Sequence, residues 1–177
     1  MKDGNSVENL FDWVEHTGMS QWIRGGSFAF PLILTAHVLG AGFIAGTGAA
    51  VALRLLGIAR GVPLSLFEGF YPVLWGALAL NIASGLLLLD AYPYKAFTNP
   101  VFYVKLTLIA CGVYLAVRIR DGVLRAPPGH AFGHAAVLQN TRLLAALSLL
   151  CWAGALIAGR LLAYTYKWLL VGVPGGF

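Results

Sequence analysis

Charge is scarce in this chain. Lys, Arg, Asp and Glu make up 11% of its 177 residues, against about a quarter in an ordinary soluble domain, so a water-solvated surface cannot be assembled from it. Acid is scarcer than base, with seven Asp and Glu against twelve Lys and Arg, and Asp3, Glu8, Asp12 and Glu15 crowd the start of the chain. A cleaved secretory signal begins basic and ends on small residues; this acidic start lacks that pattern, and the first apolar span is expected to be retained. Cysteine is limited to Cys111 and Cys151, both inside apolar runs, which excludes a disulfide framework and a thiolate zinc site and reads as core packing. The sequence also lacks a Gly-rich phosphate loop, a nucleophile elbow and paired carboxylates. Its net charge of +5 is spread between apolar runs and not gathered on a polar face, so no nucleic-acid partner is expected.

What is abundant is apolar sequence: 59% of the residues are hydrophobic and the mean hydropathy is +0.77. Crossing a bilayer takes roughly 20 predominantly apolar residues, and four runs qualify, at about 28–56, 70–89, 101–117 and 143–164. The first is long enough to imply tilt or an extension past the hydrocarbon. Turn residues separate them: Gly61 and Pro63, then Pro93 and Pro100, then Pro127, Pro128 and Gly129. Upstream, Val7, Leu10, Phe11 and Val14 share one helical face, Asn5 can cap with Glu8 three residues on, and Trp13 and Trp22 suit the headgroup layer. The expected fold is an all-α integral membrane four-helix bundle, a single domain over 1–177, preceded by an N-terminal interfacial amphipathic helix at about 6–23.

Orientation follows from the basic residues beside the spans. Arg54, Arg60, Arg118, Arg120, Arg125 and Arg142 cluster at the first and third loops, which puts those loops in the cytoplasm and both termini on the periplasmic side of a bacterial inner membrane. Arg160 and Lys167 count against this assignment. Small residues four apart, Gly42 with Gly46 flanked by Gly40 and Gly48, and Ala155 with Gly159, mark faces where helix backbones can approach.

An ionisable residue at membrane depth costs about 2.5–3.5 kcal/mol on insertion scales and asks for a partner or a purpose. His37 in the outer half of the first span, Lys105 near the outer start of the third and Arg160 near the outer end of the fourth fall on one side of the midplane, with Asn81 and Ser84 deeper in the second. An imidazole with two cations suits haem b, with His37 as axial metal ligand and the cations on the propionates. It equally suits a quinone head group. The plainer alternatives are snorkelling by Lys105 and Arg160 and a structural hydrogen bond from His37. A second imidazole on the correct side is offered only by His16, beside Met19; His130 and His134, one helical turn apart, belong to the third loop, where two imidazoles fall short of a closed metal site.

Four stretches, WIRGGSFAFPLILTAHVLGAGFIAGTGAAVALRLLG, YPVLWGALALNIASGLLLL, NPVFYVKLTLIACGVYL and LLCWAGALIAGRLLAY, together resemble a bacterial family of four-helix inner-membrane proteins of unknown function. The marks are His37 with Gly40, Arg54 to Gly57, Asn99-Pro100 with Phe102 and Lys105, and Gly159-Arg160 with Tyr164. That family is distantly similar to copper-resistance D proteins and four-helix b-type cytochromes, which implies redox or metal handling; this chain departs from those cytochromes in having no histidine in its last three spans. The resulting expectation is a membrane subunit of a redox or energy-transducing complex, docked on other membrane subunits and incomplete as an enzyme alone, with haem b or quinone near His37, Lys105 and Arg160. Its rivals are a cofactor-free structural or assembly subunit, and a small transporter or copper-handling protein using His37, Met19 and His16.

Overall fold

In a computed structural model, residues 6–58, 61–124 and 134–170 are described, and every element among them is helical. Helices α1 (Ser6–Glu15) and α2 (Gly18–Gly25) precede α3 (Ala29–Leu56); then come the short α4 (Ser65–Glu68), α5 (Phe70–Ala91), the short α6 (Pro93–Phe97), α7 (Pro100–Ile119) with a π-helical turn at Arg120–Leu124, and α8 (His134–Leu170). Four segments, Ala29–Leu56, Ser65–Ala91, Pro100–Gly122 and Asn140–Thr165, are long and apolar enough to cross a membrane. The chain is an all-α membrane protein with a four-helix bundle. His130 and the last residues, 171–177, lie outside the described residues, as does the side chain of His134.

Local sequence explains the helix ends. Gly57 closes α3 at φ 97°, and its N–H and that of Ile58 return to Arg54 and Leu53 carbonyls, a left-handed cap that favours glycine. Asn99 opens α7 by accepting from Val101 N at 3.0 Å, and Pro100 follows at the first helical position, where a missing N–H is harmless. The single interfacial helix expected at 6–23 is two helices: Thr17 is extended (ψ 150°) and its hydroxyl accepts from Ser20 N at 3.3 Å, so a hydroxyl cap restarts the chain as α2.

α3 packs against α5 on one side and α8 on the other, and α8 packs against α7. Phe67, Tyr71, Leu74, Val51, Ala116 and Ile119 make the core at one end. The middle is built around Trp152, 3% exposed, whose ring lies between the backbones of Gly48 on α3 and Gly112 on α7. The outer faces carry Leu32, Val38, Phe43, Leu86, Leu150 and Ile157 more than half exposed, a lipid-contacting surface. Cys111 is also exposed and Cys151 only partly covered, so Cys111 faces outward and is not core packing. The close approach of α3 uses Gly40 and Gly48, whereas Gly42 and Gly46 have open space at their Cβ positions; residues 40, 44 and 48 lie one turn apart and form the inner face.

Candidate functional site: a polar group inside the bundle

Helix ends set the level of the site. α3 and α7 start, and α5 ends, at one end of the bundle. His37, Ser84 and Lys105 are each five to eight residues in from those ends, roughly 8–12 Å deep at 1.5 Å rise per residue.

Two helices clasp each other there. His37 Nδ1 lies 3.1 Å from the Asn81 carbonyl and 3.2 Å from Ser84 Oγ, while Asn81 Nδ2 donates to the His37 carbonyl at 2.8 Å. A carbonyl can only accept, so Nδ1 carries the hydrogen. Ser84 spends its own O–H on the Leu80 carbonyl at 2.6 Å, which leaves its oxygen free to accept from the imidazole. Neutral His37 therefore presents a bare Nε2, and Lys105 Nζ donates to it at 3.2 Å. A hydrogen-bonded line runs Lys105, His37, Ser84/Asn81 across α7, α3 and α5, with no carboxylate among its partners in the described residues.

Three glycines make room for it. A Cβ at Gly40 would stand 3.0 Å from the Ala77 carbonyl and 3.2 Å from Asn81, so only glycine brings α3 this close to α5. A Cβ at Gly85 would meet His37 Cε1 at 3.2 Å, and Gly159 on α8 lies along the Lys105 stem, 3.6 Å from Cε. Beside the line is a cavity of about 30 Å³ reached by Asn81, Lys105 and Trp152 and otherwise walled by apolar side chains such as Ile44, Ile109 and Leu156. That is room for about one water.

Of the residues singled out in the sequence, His37 and Lys105 are together. Arg160 is not with them: it is exposed, with its guanidinium 5.5 Å from the Tyr164 ring. Its neighbour Gly159 is the residue turned to Lys105, and the next position lies about 100° round the helix. His16 is committed to the interfacial segment, Nδ1 at 2.7 Å from the Asp12 carbonyl, and Met19 is exposed. Trp152 and Gly85 are additions that sequence reasoning missed, a Trp in mid-span, away from the headgroup layer, being the one usable signal; Asn99, marked in the sequence only beside Pro100, bridges helices by donating to Thr165 Oγ at 2.8 Å.

Cofactor fit can be tested on these contacts. Axial haem ligation needs an imidazole nitrogen facing a slot of macrocycle size. Here Nδ1 is bonded to α5, Nε2 faces Lys105, and the adjoining cavity takes about one water, so these residues do not fit a haem. Among the described residues no group of three His, Cys, Asp or Glu could hold a metal ion. A quinone head group makes smaller demands: a hydrogen-bond donor for its carbonyl oxygen and an apolar approach. Lys105 is a donor and only partly covered, so a quinone oxygen can reach it past the apolar side chains around it while the ring stays outside the one-water cavity. Compared with known protein families, curated proteins and solved structures, the chain matches none.

Proposed function

We propose that this protein is a membrane subunit of a redox or energy-transducing complex, and that Lys105, held by His37, donates a hydrogen bond to the head group of a membrane quinone on the non-cytoplasmic side of a bacterial inner membrane. The observation that carries the reading is the 3.2 Å contact between Lys105 Nζ and His37 Nε2 at membrane depth, with no carboxylate of the described residues in the hydrogen-bonded line. A cation held this way has an unmet electrostatic demand. A quinone oxygen, partially negative and more so on reduction, meets it, and a lysine next to an imidazole base can lend and recover a proton at that oxygen. The electron chemistry belongs to the quinone; the protein supplies the donor, its orientation through Asn81 and Ser84, and the low-dielectric setting. The basic residues Arg54, Arg118, Arg120 and Arg142 at the opposite end of the bundle support the sidedness.

One observation favours a second reading. The His37–Asn81 clasp satisfies both residues internally, as a purely structural lock between α3 and α5 would, in an assembly subunit without a cofactor.

Titration of a short-chain quinone into the detergent-purified protein separates the two. Under the first reading Lys105→Met weakens binding about tenfold, the worth of one charge-assisted hydrogen bond, while thermal stability is kept. Equal affinity in wild type and Lys105→Met, or no saturable binding in either, refutes the quinone reading.

A further inference from the structure

A second polar feature lies at the end of the bundle where α3 begins. An open groove of about 690 Å³ runs between α1, α2 and α6, with Asp12 and Glu15 from α1, Arg24 from α2, and Tyr92, Tyr94 and Lys95 beside or on α6. Two acids and two bases make it neutral in sum and polar across its width. Its framework is fixed: Arg24 Nη1 pairs with Glu15 Oε2 at 3.1 Å and Nη2 donates to the Glu15 carbonyl, while Phe11 stacks on Phe97 with ring centroids 5.5 Å apart and meets Tyr94 edge-on at 6.3 Å.

The depth of the groove follows from the far side of the same helices. α1 turns Leu10 and Trp13, 55% and 68% exposed, away from the groove, and α2 adds Met19 and Trp22, 54% and 61% exposed. Apolar and indole side chains displayed this way belong at the boundary of acyl chains and headgroups. The groove, on the polar side of α1, therefore opens among lipid headgroups.

We propose that this groove binds the headgroup of a zwitterionic phospholipid bearing a primary ammonium, that is, a phosphatidylethanolamine. Its phosphate faces Arg24 and Lys95, and its ammonium faces Asp12 and Glu15. A headgroup with a net negative charge meets the two acids unfavourably. Carboxylates accept N–H bonds, which a primary ammonium donates and a trimethylammonium cannot. Asp12, whose side chain is 78% exposed although its Oδ1 lies 3.5 Å from His16 Nδ1, is the accessible acceptor.

The test uses the full chain in nanodiscs holding phosphatidylethanolamine, phosphatidylcholine and phosphatidylglycerol at equal mole fractions, with native mass spectrometry reading the lipids retained after release. Wild type retains phosphatidylethanolamine over the other two. Asp12→Asn lowers that preference over phosphatidylcholine by about two- to five-fold, the range an exposed ion pair supplies, and Asp12→Glu restores it; Lys95→Gln weakens retention of both zwitterionic lipids. Equal retention of ethanolamine and choline lipids by wild type, or an unchanged preference in a folded Asp12→Asn protein, overturns the proposal.

Discussion

Substituting Gly48 by alanine is the sharpest test of how the bundle is held together. A methyl there would stand 2.5 Å from Trp152 Nε1 and 2.6 Å from Cδ1, well inside van der Waals contact. The ring cannot retreat, because its other edge is already against α7, where a Cβ at Gly112 would stand 3.0 Å from Cε2 and Cζ2. Overpacking of a filled core costs about 1–3 kcal/mol, and a clash this close belongs at the upper end. Alanine returns about 1 kcal/mol through helix propensity, for a net loss of about 2 kcal/mol. On the same helix Gly46 has open space at its Cβ, so Gly46→Ala keeps the propensity gain alone. The two variants should differ by about 3 kcal/mol, or about 6–12 °C in melting temperature for a chain of this length. Circular dichroism melts in one detergent measure this, and Gly48→Ala combined with Trp152→Leu should lose most of the penalty through coupling of the two sites. If Gly48→Ala melts with Gly46→Ala, Trp152 is not wedged between α3 and α7.

Two further substitutions test ties between spans. Tyr71→Phe removes the hydrogen bond from the buried phenol to the Ala116 carbonyl at 3.0 Å; that carbonyl keeps the Arg120 N–H as partner, so denaturant titration should read a loss of only about 0.5–1.5 kcal/mol. Asn99→Ala removes at once the cap of α7 and the bond to Thr165 on α8, and about 1–2 kcal/mol is expected from the cap; hydrogen exchange should accelerate at the first turn of α7, and unchanged protection there would contradict the capping role.

The four spans are readable from sequence because bilayer insertion is decided by length and hydropathy, quantities summed along the chain. Depth is readable for the same reason: counting from helix ends puts His37 and Lys105 on one level. Rotation about the helix axis is not, since a helix that is apolar all round has no polar stripe to mark its inner face. Arg160 illustrates the loss. It has the right depth, yet Gly159 occupies the direction toward Lys105, and one residue of register separates a site residue from a lipid-facing one. Gly42 and Gly46 mislead in the same way beside Gly40 and Gly48. The break at Thr17 is local capping chemistry hidden inside a continuous amphipathic pattern.

Glycine placement suggests that the His37 site has been given space at some cost to helix stability. In α5, Gly85 lies in a helix interior, where alanine would be favoured by about 1 kcal/mol, yet a methyl there would reach 3.2 Å from His37 Cε1 and 3.5 Å from Nδ1. The ring would have to give by a few tenths of an ångström, and its Nδ1 bonds, at 3.1 and 3.2 Å, are already at the long end of the normal range. Gly85→Ala should therefore leave the melting temperature near that of wild type, propensity offsetting crowding, while loosening the line through His37 to Lys105. Gly76, on the same helix with nothing near its Cβ, supplies the control: Gly76→Ala should melt higher and bind quinone as wild type does. A drop of up to about tenfold in quinone affinity, the scale of one charge-assisted hydrogen bond, confined to Gly85→Ala would mean that His37 orientation governs binding. Equal affinities in the two alanine variants would mean that the imidazole only locks α3 to α5, and that Lys105 acts without it.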